Sequence, residues 1–373
     1  MSNIGKIRKV FLGGNTSRGF YSFYYNNILP QEEANRIFII KGGPGIGKST
    51  FMKKIAAQML MRGYDVEYLQ CSSDNNSLDG IVIPEIKVAL VDGTSPHIVD
   101  PVNPGAVDEI INLGKYWNVS KLEAAKSEII NINKRTSRLF NISYSLLKEA
   151  KVAYDEWKSY IKEIIDSTRY NELLKTLEDN VFNTAGYNFE SKPCYRHLFA
   201  SAITPQGLKN YIDTLINAGM KSYAVEGEPG SGVKEMIAMI AQDAEKRGLS
   251  AELFHCPFEP EYIDMVIIKD INTVILNTSK PLHYNVQKVD GLRIEDRINL
   301  NVCIKGELIN EYKEDMEDAK KRFYALIAKA IEHLYMAKTA HDAMERYYIP
   351  SMDFKKIDLE RDGILDRILN YVK

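Results

Sequence analysis

The stretch that most limits how this chain can fold runs from Arg36 to Thr50. Arg36-Ile37-Phe38-Ile39-Ile40-Lys41 is an apolar run the length of a buried parallel strand, and it feeds Gly42-Gly43-Pro44-Gly45-Ile46-Gly47. Lys48-Ser49-Thr50 follows, and a helical pattern begins at Lys48, with apolar residues at Phe51, Met52, Ile55, Ala56, Met59 and Leu60. Strand, G-x-x-x-x-G-K-[ST] and helix thus occur in the order a phosphate-binding loop requires. Glycines let successive backbone N–H groups turn inward around phosphate oxygens, and the helix N-terminus adds partial positive charge. Lys48 is placed to reach β- and γ-phosphates, and the Ser49 hydroxyl to ligate Mg²⁺. The segment Gly42 to Thr50 therefore implies a cradle for a nucleoside triphosphate.

The second half of the chain repeats the first. At a shift of 185, Gly42 to Gly47 lies over Gly227-Glu228-Pro229-Gly230-Ser231-Gly232, Cys71 over Cys256, Asp79 over Asp264 and Asp92 over Asn277. At 188, Phe11, Thr16 and Gly19 meet Phe199, Thr204 and Gly207; at 187, Ile111-Asn112-Leu113 meets Ile298-Asn299-Leu300. The expected organisation is two tandem units, 1–186 and 187–373, with a boundary near Gly186. The copies differ where chemistry would occur. Val233 stands for Lys48, Lys234 for Ser49, Glu235 for Thr50 and Asn277 for Asp92. The second loop keeps a glycine-rich backbone and loses its in-register lysine, hydroxyl and carboxylate, so it reads as catalytically silent. Lys234 lies one position late, and Glu235 beside it would repel a phosphate.

Each unit also carries a long helical segment, about 116–183 and about 305–370. No proline or glycine falls between Val119 and Ile165. Leu139, Ile142, Leu146, Ala150, Ala153, Trp157, Tyr160 and Ile164 recur at steps of three and four, which predicts a packed seam. Phe323, Ile327, Leu334, Ala337, Ala340, Met344 and Tyr347 repeat it. A helical hairpin capping the sheet is the preferred reading. The alternative is a lid carrying Arg135 or Arg138 as an arginine finger, against which stands a solvated basic face.

Other candidate residues follow from the strands. Ile86 to Val91 forms an apolar run whose last four residues, Val88 to Val91, are closed by Asp92, as in a Walker B strand ending beside the loop. Asp92 would then hold Mg²⁺, directly or through water. Gly93 follows it where many ATPases place a glutamate, so a base must come from elsewhere or hydrolysis be slow. Asp74, after the strand Val66 to Cys71, has two readings: base toward a phosphoryl acceptor, or turn former. His97 and Asp100 follow in the loop after Asp92, His97 reading as a hydrogen-bonding residue. Cys71 and Cys256 read as small buried strand-end residues, because no metal-ligand spacing surrounds them. The aromatic cluster Phe20 to Tyr25 suits either a nucleotide base or core packing.

Composition adds limits. With 373 residues the chain has length for two sizeable cores, and its formal net charge of −2 points to neither nucleic acid nor an anionic membrane. The four cysteines form no C-x-x-C pair, and no run approaches a membrane span. The expected setting is the cytoplasm.

At Gly42 to Thr50 the sequence resembles the P-loop NTPase superfamily. Over its whole length it is similar to a bacterial family of tandem-duplicated P-loop ATPases. That resemblance rests on Gly13-Gly14-Asn15-Thr16, the loop itself, Cys71-Ser72-Ser73-Asp74, Ser77-Leu78-Asp79-Gly80 and Asp92-Gly93-Thr94-Ser95-Pro96-His97. It agrees with the expected α/β architecture of two tandem P-loop domains with mostly parallel sheets and with ATP and Mg²⁺ as cofactors, but fixes no reaction. Slow MgATP hydrolysis at the first repeat, with the second structural or regulatory, is the expectation drawn from the residues. The resemblance also implies a working second loop, from which Val233 and Asn277 depart. Two further expectations stand beside hydrolysis. One is γ-phosphoryl transfer to a small molecule or nucleotide between Asp74 and His97. The other is a nucleotide-gated module that meets a protein partner, or itself, through the helical segments.

Overall fold

The computed structural model describes residues 4–183, 186, 193–281, 284, 286 and 289–372. The first half runs β1 (Ile7–Val10), β2 (Gly13–Thr16), β3 (Gly19–Ser22), α1 (Tyr24–Asn27), β4 (Arg36–Lys41) and α2 (Lys48–Met61). It continues with β5 (Val66–Gln70), β6 (Leu78–Ile83), β7 (Val88–Asp92), β8 (Asp108–Asn112), α3 (Val119–Ala124), α4 (Lys126–Glu163) and α5 (Ser167–Phe182). The second half repeats this order. Its strands are β9 (Tyr195–Leu198), β10 (Ser201–Thr204), β11 (Gly207–Asn210), β12 (Lys221–Glu226), β13 (Ala251–His255), β14 (Ile263–Ile268), β15 (Thr273–Asn277) and β16 (Ile294–Asn299). Its helices are α6 (Val233–Lys246), α7 (Gly306–Ile309), α8 (Lys313–Tyr348) and α9 (Phe354–Leu369).

Two six-stranded sheets result, ordered β1-β5-β6-β7-β4-β8 and β9-β13-β14-β15-β12-β16. Each is mixed. In the first, β6 pairs antiparallel with both β5 and β7, while the other pairings are parallel. The second sheet has the same arrangement around β14. The antiparallel strand was not expected from the sequence, because Asp79 and Gly80 interrupt its apolar run. Its hairpin to β7 is closed by Pro84–Ile86 in a 3₁₀ turn and Lys87 at φ 53°, and β7 begins at Val88 rather than Ile86.

The sheets face one another. Ile37, Ile39, Ala89 and Val91 of the first pack in one core with Phe254, Met265, Ile267, Val274 and Leu276 of the second. The outer faces are covered by exchange. Ile357, Ile364 and Ile368 of α9 pack with α2 on the first sheet. Leu177, Val181 and Phe182 of α5 pack with α6 on the second. The helical part of each sequence repeat thus completes the other repeat's layer. Matching bonds tie both exchanges: Asp353 N to Tyr116 O at 3.0 Å and Asp166 N to Cys303 O at 2.7 Å. The expected boundary at 186/187 falls in the segment 184–192, where only Gly186 is described.

The expected helical hairpin within each repeat is replaced by a pair between repeats. α4 and α8 run side by side, and at their crossing Ser143 Oγ donates to Ala330 O at 2.9 Å. The buried seam of α4 is Ser143, Leu147, Ala150, Ala153, Tyr154, Trp157 and Ile161. Ile142, Leu146 and Tyr160 lie on its flank, since the stripe follows the helix twist and steps onto Leu147, Tyr154 and Ile161. Phe11 and Phe199 exchange both backbone hydrogen bonds at 2.9 Å. Because these residues are equivalent in the two copies, they mark a pseudo-two-fold axis. Near it, Arg8 and Arg196 both contact Glu67 and Glu252, each carboxylate 3% exposed or less. Among the described residues, no helix is long and apolar enough to cross a membrane.

Candidate functional site

The first loop joins β4 to α2, and β4 lies directly beside β7, so Lys48 and Asp92 emerge at the same sheet end. Gly47 sits at φ 88°, a left-handed conformation that starts α2 and turns the loop into it. Lys48 Nζ donates to the carbonyls of Gly42 at 2.8 Å and Gly43 at 3.0 Å, and lies 3.3 Å from Asp92 Oδ2. Asp92 Oδ1 accepts from the Thr94 backbone N–H at 2.9 Å and from the Thr94 hydroxyl. Ser49 Oγ accepts from the Leu78 N–H at 3.0 Å, which brings β6 to the loop. The Ser49 and Asp92 oxygens are hard donors of the kind Mg²⁺ takes.

The second repeat reaches this loop. A methyl group added at Gly43 would stand 2.6 Å from the Tyr348 ring, and one at Gly45 would stand 3.0 Å from Glu345 Cγ. The carboxyl end of α8 therefore rests against the loop, and only glycine permits so close an approach. Burial lowers the His341 pKa; Asp342 opposes this, while Lys48 and Lys338 reinforce it. None of these α8 residues was expected in the site, since nothing in their spacing signals a partner 300 residues upstream.

Of the remaining candidates, Asp74 stays within electrostatic reach of His341, Lys338 and Glu345 of α8, while Asp100, Arg135 and Arg138 lie apart. Asp74 closes its own turn, accepting from Asn76 N at 3.0 Å and Ser77 Oγ at 2.9 Å. Asp100 pairs with Lys41 at 3.0 Å. Arg135 and Arg138 are exposed on α4. The aromatic cluster divides too: Phe23 packs on Phe199 and His255, Tyr24 is buried, and Tyr25 is exposed. His97 Nε2 lies 3.3 Å from Asp79 Oδ1, while Tyr24 OH donates to Asp79 Oδ2 at 2.9 Å. Cys71 joins them: its Sγ, an Asp79 oxygen and a His97 ring nitrogen all lie within 4.8 Å of one another. Burial pushes the Asp79 carboxyl up, with His97 opposing and Asp92 adding to the rise. The reading of Cys71 from spacing alone missed this grouping.

The second loop has a different interior. Lys234 Nζ bonds Glu259 Oε2 at 2.6 Å and Cys256 Sγ at 3.2 Å. Lys158 and Lys151 of α4 also reach Glu259, at 3.0 and 3.3 Å. Asn277 Nδ2 donates to Asp264 Oδ1 at 2.9 Å, where the first copy sets Asp92 near Asp79. A cavity lies among Gly227, Lys158, Lys234 and Asn277. No protein-family model, no curated protein and no solved structure matches this chain.

Proposed function

We propose that this chain is an ATP-binding P-loop NTPase whose first repeat holds MgATP and hydrolyses it slowly, with the second repeat as structural or regulatory partner. The observation that carries the reading is the Lys48 ammonium, drawn into the loop by two carbonyls and set 3.3 Å from Asp92. That constellation suits a polyphosphate: the loop amides and Lys48 would hold the phosphates, while Ser49 and Asp92 would hold Mg²⁺. The ion would offset phosphate charge, and Lys48 would stabilise charge building on the transferred group. Hydrolysis is favoured over transfer because Asp74, the candidate acceptor-side base, is committed to its own turn.

The second loop's lysine faces Glu259, and Val233 and Asn277 stand where the first copy has Lys48 and Asp92, which supports one nucleotide per chain. Equilibrium dialysis with a slowly hydrolysed ATP analogue should count one site. Lys48→Ala should lower turnover by about 100-fold or more, since a charge-stabilising donor in such a site is typically worth 10²–10³. Unchanged turnover in the folded variant, or two tight sites, overturns the proposal.

A further inference from the structure

Three segments outside the phosphate loop converge on one buried point. Cys71 lies just past β5, Asp79 in β6 and His97 in the loop after β7, and all three are less than 9% exposed. The convergence depends on β6: its antiparallel insertion, with a register shift at Leu69/Gln70, brings Asp79 level with the ends of β5 and β7.

We propose that Cys71, Asp79 and His97 form a site for a zinc-class divalent ion, with three protein ligands and water in the fourth position. Geometry supports it. Two ligands at ~2.0–2.1 Å around a tetrahedral ion stand about 3.3 Å apart, and His97 Nε2 and Asp79 Oδ1 are 3.3 Å apart. The widest pair in the trio is within 4.8 Å, so the thiol side would close by about 1 Å. The donor set of one sulfur, one nitrogen and one oxygen suits Zn²⁺ or Co²⁺ and is foreign to Mg²⁺. Tyr24 OH occupies Asp79 Oδ2 at 2.9 Å, leaving Oδ1 toward His97, as an outer hydrogen bond orients a ligating carboxylate. His97 Nδ1 is buried without a hydrogen-bond partner among the described residues.

The second repeat supplies an internal comparison. It keeps the cysteine and the aspartate as Cys256 and Asp264, and Lys234 places its ammonium 3.2 Å from Cys256 Sγ. There a built-in cation meets the sulfur. In the first repeat Ser49 occupies the position of Lys234, and the cysteine–aspartate pair has His97 beside it. With no lysine at that position, the first repeat leaves the sulfur free to meet a bound ion instead of a fixed ammonium.

The test uses the full chain, stripped with chelator and titrated with Co²⁺. One ion per chain should bind, with thiolate-to-cobalt absorption in the near ultraviolet; Zn²⁺ should displace it and excess Mg²⁺ should not. Cys71→Ser should abolish the absorption band while Cys256→Ser keeps it. His97→Gln should weaken binding by about 100-fold, the upper end of losses seen even for outer-sphere changes. Substoichiometric binding by the parent protein, or a band that survives Cys71→Ser, overturns the proposal. The parent titration decides even if a variant fails to fold. No nucleotide is present, so the result is separate from the reading of Lys48.

Discussion

Asp92 and Asp79 stand at the same end of the β6–β7 ladder, one strand apart, and the second copy sets a different pair at that position. There the equivalent pair is Asn277 and Asp264, joined by a hydrogen bond of 2.9 Å. In the first copy two carboxylates approach, and burial with Asp92 nearby raises the Asp79 pKa. Asp92→Asn can form that hydrogen bond but gives up the pair with Lys48 at 3.3 Å, so it should destabilise the metal-free protein by about 1 kcal/mol or more, and on the proposed function it should also remove any stabilisation by MgATP. Denaturant midpoints in chelator, then with MgATP, measure both; a higher midpoint in chelator would contradict the pairing argument. At this scale the sequence was readable where residues are contiguous. Gly42 to Thr50 and Val88 to Asp92 signal their positions by spacing, and both reach one sheet end. Cys71, Asp79 and His97 carry no such signal, because their meeting depends on a strand that Asp79 and Gly80 disguise.

Helices show the same division between what is local and what is not. The period of α4 and α8 is visible along the chain, and so is the absence of breakers. Their partners are not visible, since a helical stripe records only that something apolar faces it. The structure pairs α4 with α8 and sends α5 and α9 to opposite sheets. Ile364 of α9, 3% exposed, packs in the core of the first sheet although it belongs to the second repeat. Ile364→Ala should cost about 2–5 kcal/mol, the usual range for a buried large-to-alanine change. Hydrogen exchange should locate the damage: amides of α2 should lose protection more than those of α6. Equal loss in both helices, or loss confined to α6, would contradict the exchange.

Across the whole molecule, the duplication was legible from arithmetic alone, but the way the halves meet was not. The sheets pack face to face around the Phe11–Phe199 axis, with ionisable groups enclosed at the contact. His197 Nδ1 and His255 Nε2 lie 2.8 Å apart, and His255 Nδ1 is bonded to Pro260 O. Burial, reinforced by His197, lowers the His255 pKa to about 4. A histidine less basic in the folded than the unfolded chain stabilises fully above pH ~6.5, and the contribution is lost as pH falls toward about 4. Unfolding free energy should drop by about 2 kcal/mol between pH 7 and 5, and His255→Gln should flatten that dependence. A parent profile with no slope there would show that the imidazoles are not held neutral. Glu252 titrates lower, near 2, because burial is outweighed by Arg8 and Lys269, so its loss belongs to stronger acid. The exchanged helices also bear on ancestry. Because each half lends its last helix to the other, a chain of one repeat would leave its own outer face bare and find the missing helix only on a second molecule. The fused chain thus has the architecture of a reciprocal homodimer made permanent, each half completing its twin.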